Sequence, residues 1–313
     1  MHNGVGANND KPFVSVVICT RNRERHLGRA LQSLTEQDFD PDGFEIIVVD
    51  NHSTDGTLAL AQKFRDEHPG HNIRIVQEPK KGLTFARNRG IAESRGTYIA
   101  FTDDDAVVPR DYVQNIARCA REYGNRYQAC GGKVLPLYET GEPPAWMSRY
   151  IQRVISITDW GDKPKDLRRS YPVGCNMFFR RDFFERVGMF STDVFMRSED
   201  KYIFYKARKA GIPILYYPGV WVKHFIEKER YGLEYVRRVS YINGLSDRMM
   251  IRSLYEKPLV PLLRKGMDLV IKLAIATGLW LMFTFRGQPV KGKALFLAIW
   301  NNLKGFLLGR PSE

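Results

Sequence analysis

Cysteine is scarce and poorly spaced for chemistry. The 313 residues hold four, Cys19, Cys119, Cys130 and Cys175. They show neither the short pairs that ligate zinc nor the framework of a disulfide scaffold, which points to a reducing compartment. Glycine is missing where a dinucleotide fold would need it. The turn after the first apolar run reads CTRNRER, residues 19–25, with arginines in place of a Gly-rich phosphate turn. Uncharged apolar runs of ~20 residues, the length of a clean bilayer span, are also absent. The N-terminal stretch MHNGVGANNDKP has no apolar core and no cleavage site, so residues 1–11 read as a disordered tail rather than a signal peptide, and the chain is expected in the cytoplasm.

What is present is apolar enough to fold. With 43% hydrophobic and 12% aromatic residues, the chain can bury one large core or two modest ones, which excludes disorder as its main state. The net charge of +13 is uneven: residues 233–313 carry 13 Lys/Arg against 5 Asp/Glu. That basic tail also holds LAIATGLWLMFTF (273–285) and ALFLAIWNNL (294–303), which carry no charge. Apolar runs beside Arg264, Lys265, Arg286, Lys291, Lys293 and Lys304 predict helices lying on an anionic membrane surface through residues 258–310. The alternative is a soluble helical hairpin.

The first hundred residues alternate. FVSVVICT (13–20), FEIIVVD (44–50), IRIVQEP (73–79) and TYIAFTDDD (97–105) read as strands, and RERHLGRALQSL (23–34), TLALAQKF (57–64) and LTFARNRGIAESRG (83–96) as the helices between them. Such alternation predicts an α/β fold with a mainly parallel, Rossmann-like sheet flanked by helices. Ligands bind such sheets outside the carboxyl ends of the strands, where Thr20, Asp50 and Asp103, Asp104 and Asp105 fall. Arg21, Arg23 and Arg25 could meet phosphate and Asp50 a base or ribose; a solvated loop and a turn-capping aspartate are the bland alternatives. A row of three carboxylates is best explained by a hard divalent cation, which takes oxygen ligands and bridges to phosphate, whereas an exposed acidic turn is the competing explanation.

Five blocks, VSVVICTRNR, IIVVDNHSTDGT, GLTFARNRGIAESRGTYIAFTDDD, GCNMFFRRDFFERVGMF and SED, resemble in order and spacing the nucleotide-sugar-dependent family 2 glycosyltransferases of the GT-A fold. The resemblance implies a GT-A domain over 12–232, with a nucleotide-binding half (12–110), an acceptor half (111–232) carrying an insertion at 131–171, and a basic, apolar helical extension (233–313). It further implies that Thr20, Arg21, Arg23 and Asp50 hold the nucleotide, that Arg87 closes its pocket, and that Asp103 and Asp104 reach the ribose and second shell. Asp105, together with Asp103, would grip Mg²⁺ or Mn²⁺, in a register open by one residue. Gly174 and Asn176 would line the sugar pocket. In RSED, Ser198 reads as an N-cap of a helix running from Glu199 to Ala210. Acidic residues in a first turn suit the helix dipole without any catalytic role; the resemblance instead makes Asp200 the general base and lets Glu199 orient the acceptor. His224 could complete the metal shell or serve structure alone, and Arg237 and Arg238 could approach phosphate or merely charge the surface. Trp146 and Trp160 in the insertion could stack on sugar or anchor the loop.

The implied reaction is inverting hexosyl transfer from a nucleoside-diphosphate sugar, a UDP-sugar first among them, to a glycan or lipid-linked acceptor in envelope polysaccharide synthesis at the cytoplasmic face of the plasma membrane. Two rivals stand beside it: a metal-dependent nucleotidyl or phosphoryl transferase using the same carboxylates, and a basic nucleic-acid-binding protein. The concentration of basic charge in an apolar tail argues against nucleic acid as a partner.

Overall fold

A computed structural model describes residues 13–192 and 197–310; the N-terminal tail expected over 1–11 lies outside the described residues. The strands are β1 Val14–Thr20, β2 Phe44–Asp50, β3 Ile73–Gln77, β4 Tyr98–Asp103, β5 Ala106–Val107, β6 Ala129–Tyr138, β7 Lys165–Asp166, β8 Asn176–Arg180 and β9 Ile214–Ile226. The helices are α1 Glu24–Thr35, α2 Thr57–Glu67, α3 Leu83–Glu93, α4 Tyr112–Tyr123, α5 Arg149–Val154, α6 Asp182–Val187, α7 Glu199–Lys209, α8 Leu233–Leu254, α9 Leu259–Phe285 and α10 Pro289–Leu308.

Two compact units emerge. The first comprises residues 1–133, 160–190 and 207–222, and the second 134–159, 191–206 and 223–313. The sheet runs in the order β3-β2-β1-β4-β8-β6-β9-β5, with β7 paired to β9. β1 pairs in parallel with β2 and β4, and β2 with β3, whereas β8 is antiparallel to β4 and β6. The expected mixed, mainly parallel sheet is therefore what folds. β2 is buried at every residue and β1 at all but one, as strands covered on both faces must be, and their continuous Val/Ile runs are the sequence form of that burial. α3 packs on β1 and β2 so closely that a Cβ on Gly90 would meet Val17 Cγ1 at 2.4 Å.

One acid lies inside this unit with all its needs met. Glu45 is fully buried; its Oε1 accepts from Ser15 Oγ at 2.7 Å and Arg95 N–H at 2.6 Å, and its Oε2 from Arg74 at 3.2 Å. Burial of a carboxylate is tolerable only with such partners, and these three tie β1, β2, β3 and the segment entering β4 together.

The second unit is mostly helical. α10 buries Ala294, Ala298, Ile299, Leu303 and Phe306 and crosses α8 at close range. A Cβ on Gly244 would meet Asn302 O at 1.9 Å, and one on Gly305 would meet Tyr241 O at 1.9 Å, so both glycines are needed for the backbones to approach. α9 behaves differently: only Leu269 and Ala276 are buried, while Leu259, Leu263, Met267, Ile271 and Ile275 are exposed. The two uncharged runs are each too short to span, yet α9 continues through Asp268 and Lys272, which neutralise one another as an i,i+4 pair at 2.6 Å. By length and composition α9 is long and apolar enough to cross a membrane. Trp146 packs beside the Ile151, Val236, Ala294 and Ala298 cluster. In the first unit Trp160 meets the Tyr216 ring edge-on at 5.1 Å, its N–H donating to Tyr216 Oη.

Candidate functional site

Register brings the predicted residues of the first unit to one edge. Thr20 pairs with Asp50, and Cys19 with Asp103, so the carboxyl ends of β1, β2 and β4 stand side by side. Strand β4 stops at Asp103, and Asp104 and Asp105 form the turn into β5. Sequence periodicity extends the strand two residues further, because three consecutive aspartates give no alternation to mark its end.

The first two strand-to-helix turns clasp each other beside this edge. Asn22, at φ 53°, takes the left-handed backbone that asparagine tolerates. Its N–H donates to Ser53 Oγ at 3.0 Å, and its Oδ1 accepts from Thr54 N–H at 2.8 Å. Arg23 N–H donates to Thr57 Oγ1 at 2.8 Å. Asn51 pins a third loop: its Nδ2 donates to the carbonyls of Glu78 and Lys80 at 3.1 and 2.7 Å, and its Oδ1 accepts from Gly82 N–H at 2.7 Å. Sequence reasoning passed over Asn22 and Asn51, although asparagine at the end of a strand is the residue type that builds such turns.

Thr20 and Asp50 are buried. Asp50 Oδ2 accepts weakly from Ser53 N–H at 3.4 Å, and its Oδ1 is buried with no hydrogen-bond partner among the described residues. An acceptor left unsatisfied costs free energy until a donor arrives, which suits a base or ribose. Arg21 and Arg25 are exposed. Arg23 is half-buried, with Nε 3.8 Å from Asp104 Oδ1.

Arg87 is 3% exposed, and its Nη2 lies 3.9 Å from Asp103 Oδ1. Its guanidinium stacks over Phe190 and Phe101, at 5.4 and 5.9 Å from the ring centroids, contacts that hold a desolvated cation in place. Gly174 is what makes room for it, since a Cβ there would meet Arg87 Nη2 at 2.5 Å. Asn176 is fully buried; its Nδ2 donates to the carbonyls of Lys133 and Val220 at 2.8 and 3.1 Å, and its Oδ1 accepts from Tyr112 Oη at 3.4 Å. Its amide is thus engaged in joining strands, and Gly174 and Asn176 shape the edge from behind.

The acid cluster itself is crowded. Asp103 and Asp105 carboxylate oxygens lie within 4.8 Å of each other. Burial pushes the Asp104 carboxyl up to about 7, repulsion from Asp105 and Asp103 adding to the shift and Arg23 opposing it. Carboxylate oxygens close enough to share one ion fit a divalent cation.

In the second unit, α7 begins at Glu199, where the helix was expected. Ser198 adopts φ 79°, and its carbonyl accepts the first helical bond from Tyr202 at 2.9 Å. Asp200 Oδ1 accepts from Lys201 N–H at 2.6 Å. Glu199 and Asp200 are half-buried, so their carboxylates retain access to solvent. His224, on β9, is 3% exposed, with Arg230 Nη1 3.3 Å from its Nε2. Arg237 pairs with Glu234 at 3.1 Å, and Arg238 lies over the Tyr235 ring; both are exposed on α8.

The family model for glycosyl transferase family 2 matches residues 15–188, more than half of the chain. The chain is 30% identical over 179 residues to glycosyltransferase AglE of Haloferax volcanii, covering 57% of this chain and 56% of that one, so the match spans little over half of that relative. It is 24% identical over 252 residues to the glucosyl-dolichyl phosphate glucuronosyltransferase of the same organism, covering 76% and 77%. Among solved structures, a mannosyltransferase from Pyrobaculum calidifontis in complex with GDP-Man and Mn²⁺ superposes with a TM-score of 0.61 at 21% identity, over 94% of this chain and 87% of that one. That likeness establishes a shared fold.

Proposed function

The chain belongs to glycosyl transferase family 2, and on that premise we propose that it moves a sugar from a nucleoside-diphosphate sugar to a hydroxyl of a lipid-linked glycan, with inversion at the anomeric carbon. The observation that carries the reading is the strand edge of the first unit. There a buried acceptor at Asp50, a stacked cation at Arg87 and a crowded acid cluster at Asp103 to Asp105 offer complements to a base, a diphosphate and the cation that accompanies it.

Asp103 and Asp105 would hold Mg²⁺ or Mn²⁺, with His224 as a further ligand. When bound, the ion supplies Lewis-acid stabilisation to the charge that builds on the departing diphosphate. The structural neighbour in complex with GDP-Man and Mn²⁺ supports a divalent ion of this class. Thr20 and Asp50 orient the nucleotide, and Arg23 and Arg87 face its anionic part. Asp200 receives the proton of the acceptor hydroxyl as that oxygen forms its bond to the anomeric carbon, while the bond to the diphosphate oxygen breaks; Glu199 orients the acceptor. A half-buried carboxylate that keeps access to solvent suits removal of a proton from a bound hydroxyl.

The dolichyl phosphate named for one relative and the exposed apolar face of α9 both favour a lipid-linked acceptor. On this reading α9 rests on the cytoplasmic membrane surface, its apolar stripe in the acyl boundary and Arg264 and Arg286, both exposed, at headgroup level. The test is a panel of UDP-glucose, UDP-N-acetylglucosamine and GDP-mannose incubated with the chain and Mn²⁺. Release of a nucleoside diphosphate from one of them, abolished by EDTA, is expected; release of pyrophosphate from a nucleoside triphosphate instead would establish the nucleotidyl transferase reading.

A further inference from the structure

A carboxylate lies buried between two ammonium groups in the second unit. Asp247 of α8 is 3% exposed and accepts from Lys201 of α7 and, at 2.8 Å, from Lys265 of α9. Burial alone would raise its carboxyl, but the two lysines more than offset that and hold it below the usual carboxylate range; Lys201, which burial would lower, is raised by Asp247. Asp247 and Lys201 therefore both stay charged at neutral pH.

Such a triad is a poor way to stabilise a core. Desolvating charges costs about as much as their attraction returns, and apolar side chains of equal volume often do better. What a directional triad provides is register, and here the register concerns one turn of helix. Lys201 directly follows Asp200, and its own N–H holds Asp200 Oδ1 at 2.6 Å. On the other side of Asp200, Ser198 is in the left-handed backbone region at φ 79°. The same turn is held to α8 a second time by Tyr202 Oη, 2.9 Å from Ser253 Oγ, and by packing of Tyr202 on Met250 and Leu254.

We propose that Asp247 is a positioning residue: through Lys201 it fixes the first turn of α7, and with it the direction of the Asp200 carboxylate, while Lys265 ties α9 to the same anchor. This rests on the reading of Asp200 as the base. Misplacing a reacting group by about 1 Å can cost ~100-fold in rate, whereas donor binding, which depends on residues of the first unit, is left alone.

The experiment measures kcat and KM for whichever of UDP-glucose, UDP-N-acetylglucosamine or GDP-mannose the wild-type chain turns over with Mn²⁺. Rates are counted per donor site, titrated with the matching nucleoside diphosphate. Asp247→Asn should lower kcat per site about 10- to 100-fold with KM changed less than about threefold, and Asp247→Glu should recover most of the loss. If Asp247→Asn is not recovered folded, Lys201→Met is judged by the same criteria, because it breaks the arm to α7 and leaves Lys265 facing Asp247. An unchanged kcat per site, or a loss confined to KM, overturns the proposal. Asp200→Asn run in parallel separates the two failures: if it keeps wild-type turnover, the base assignment falls and the proposal with it. If it is inactive while Asp247→Asn is not, only the positioning role falls.

Discussion

Two groups of acids in this chain meet opposite fates. Glu45 and Asp247 each sit among donors that satisfy them, three for Glu45 and two lysines for Asp247. Asp103, Asp104 and Asp105 crowd one another instead, beside Arg23 at 3.8 Å from Asp104 and Arg87 at 3.9 Å from Asp103, and Asp104 is driven to a carboxyl value of about 7. A carboxylate the protein satisfies by itself belongs to the architecture. Carboxylates crowded together at the end of a sheet are instead placed to meet something that arrives from outside. The comparison predicts that substitutions in the first group are felt as stability and those in the second as binding.

The largest effect should come from an acid in neither group. Asp200→Asn is expected to lower transfer by about 10²- to 10⁴-fold, the range for loss of a general base, while leaving nucleotide binding by calorimetry unchanged. Retained transfer would remove Asp200 from the mechanism. Next is Asp247→Asn, which leaves two half-buried lysines facing a neutral amide and should cost about 2–4 kcal/mol of stability at pH 7, somewhat below the range for a fully buried pair. The pH dependence follows from the direction of the shifts. Asp247 is depressed in the folded chain, so its contribution is complete above the unfolded carboxylate value of about 3.9 and is lost as pH falls through the lower folded value. Lys201 is raised, so its contribution is complete below about 10.4 and is lost as pH climbs through the higher folded value. Thermal denaturation should show wild type and Asp247→Asn furthest apart between those limits and converging at the acid end. A gap that stays constant into strong acid would mean that the carboxylate charge is not what the variant removes.

How far the two groups could be told apart from sequence is instructive. The acidic edge was legible because its ingredients are local: alternating runs locate the ends of β1, β2 and β4, and Thr20, Asp50 and Asp103 follow directly. Asp247 was not legible. It is a single aspartate within a long helix, and its partners come from α7 and α9, at separations that no spacing rule connects. Gly174 and Asn176 were found as a motif but not as what they do, since Arg87 and the carbonyls of Lys133 and Val220 are tertiary neighbours. In α9 the obstacle was the reverse: Asp268 and Lys272 interrupt the apolar run in sequence yet cancel one turn apart in space.

The acid cluster can be examined without any substrate. A ligand that binds only the folded chain raises its stability in proportion to occupancy, so Mn²⁺ should raise the melting temperature of the wild type. Asp105→Ala should weaken the Mn²⁺ affinity by ~10- to 100-fold, as loss of a metal-supporting group commonly does. Asp247→Asn should respond to Mn²⁺ as the wild type does, at a lower baseline. An equal Mn²⁺ response in Asp105→Ala would relocate the ion.

The smallest effect tests whether Arg87, one of the two cations beside the crowded acids, is held in place by space as well as by charge. At Gly174 an added methyl would meet Arg87 Nη2 at 2.5 Å, whereas at Gly28, inside α1, a Cβ meets nothing within 4 Å. The same substitution should therefore act with opposite sign at the two positions. Gly28→Ala removes only the conformational freedom of a helical glycine and should stabilise by about 0.5–1 kcal/mol. Gly174→Ala forces a stacked, buried guanidinium to move and should destabilise by about 1–3 kcal/mol. If Arg87 relieves the clash by swinging away from Asp103, donor affinity should drop with stability; if the backbone at 174 yields instead, stability alone drops. Denaturation and nucleotide titration on the same two variants separate these outcomes, and a stabilising Gly174→Ala would show that Arg87 has room the geometry does not give it.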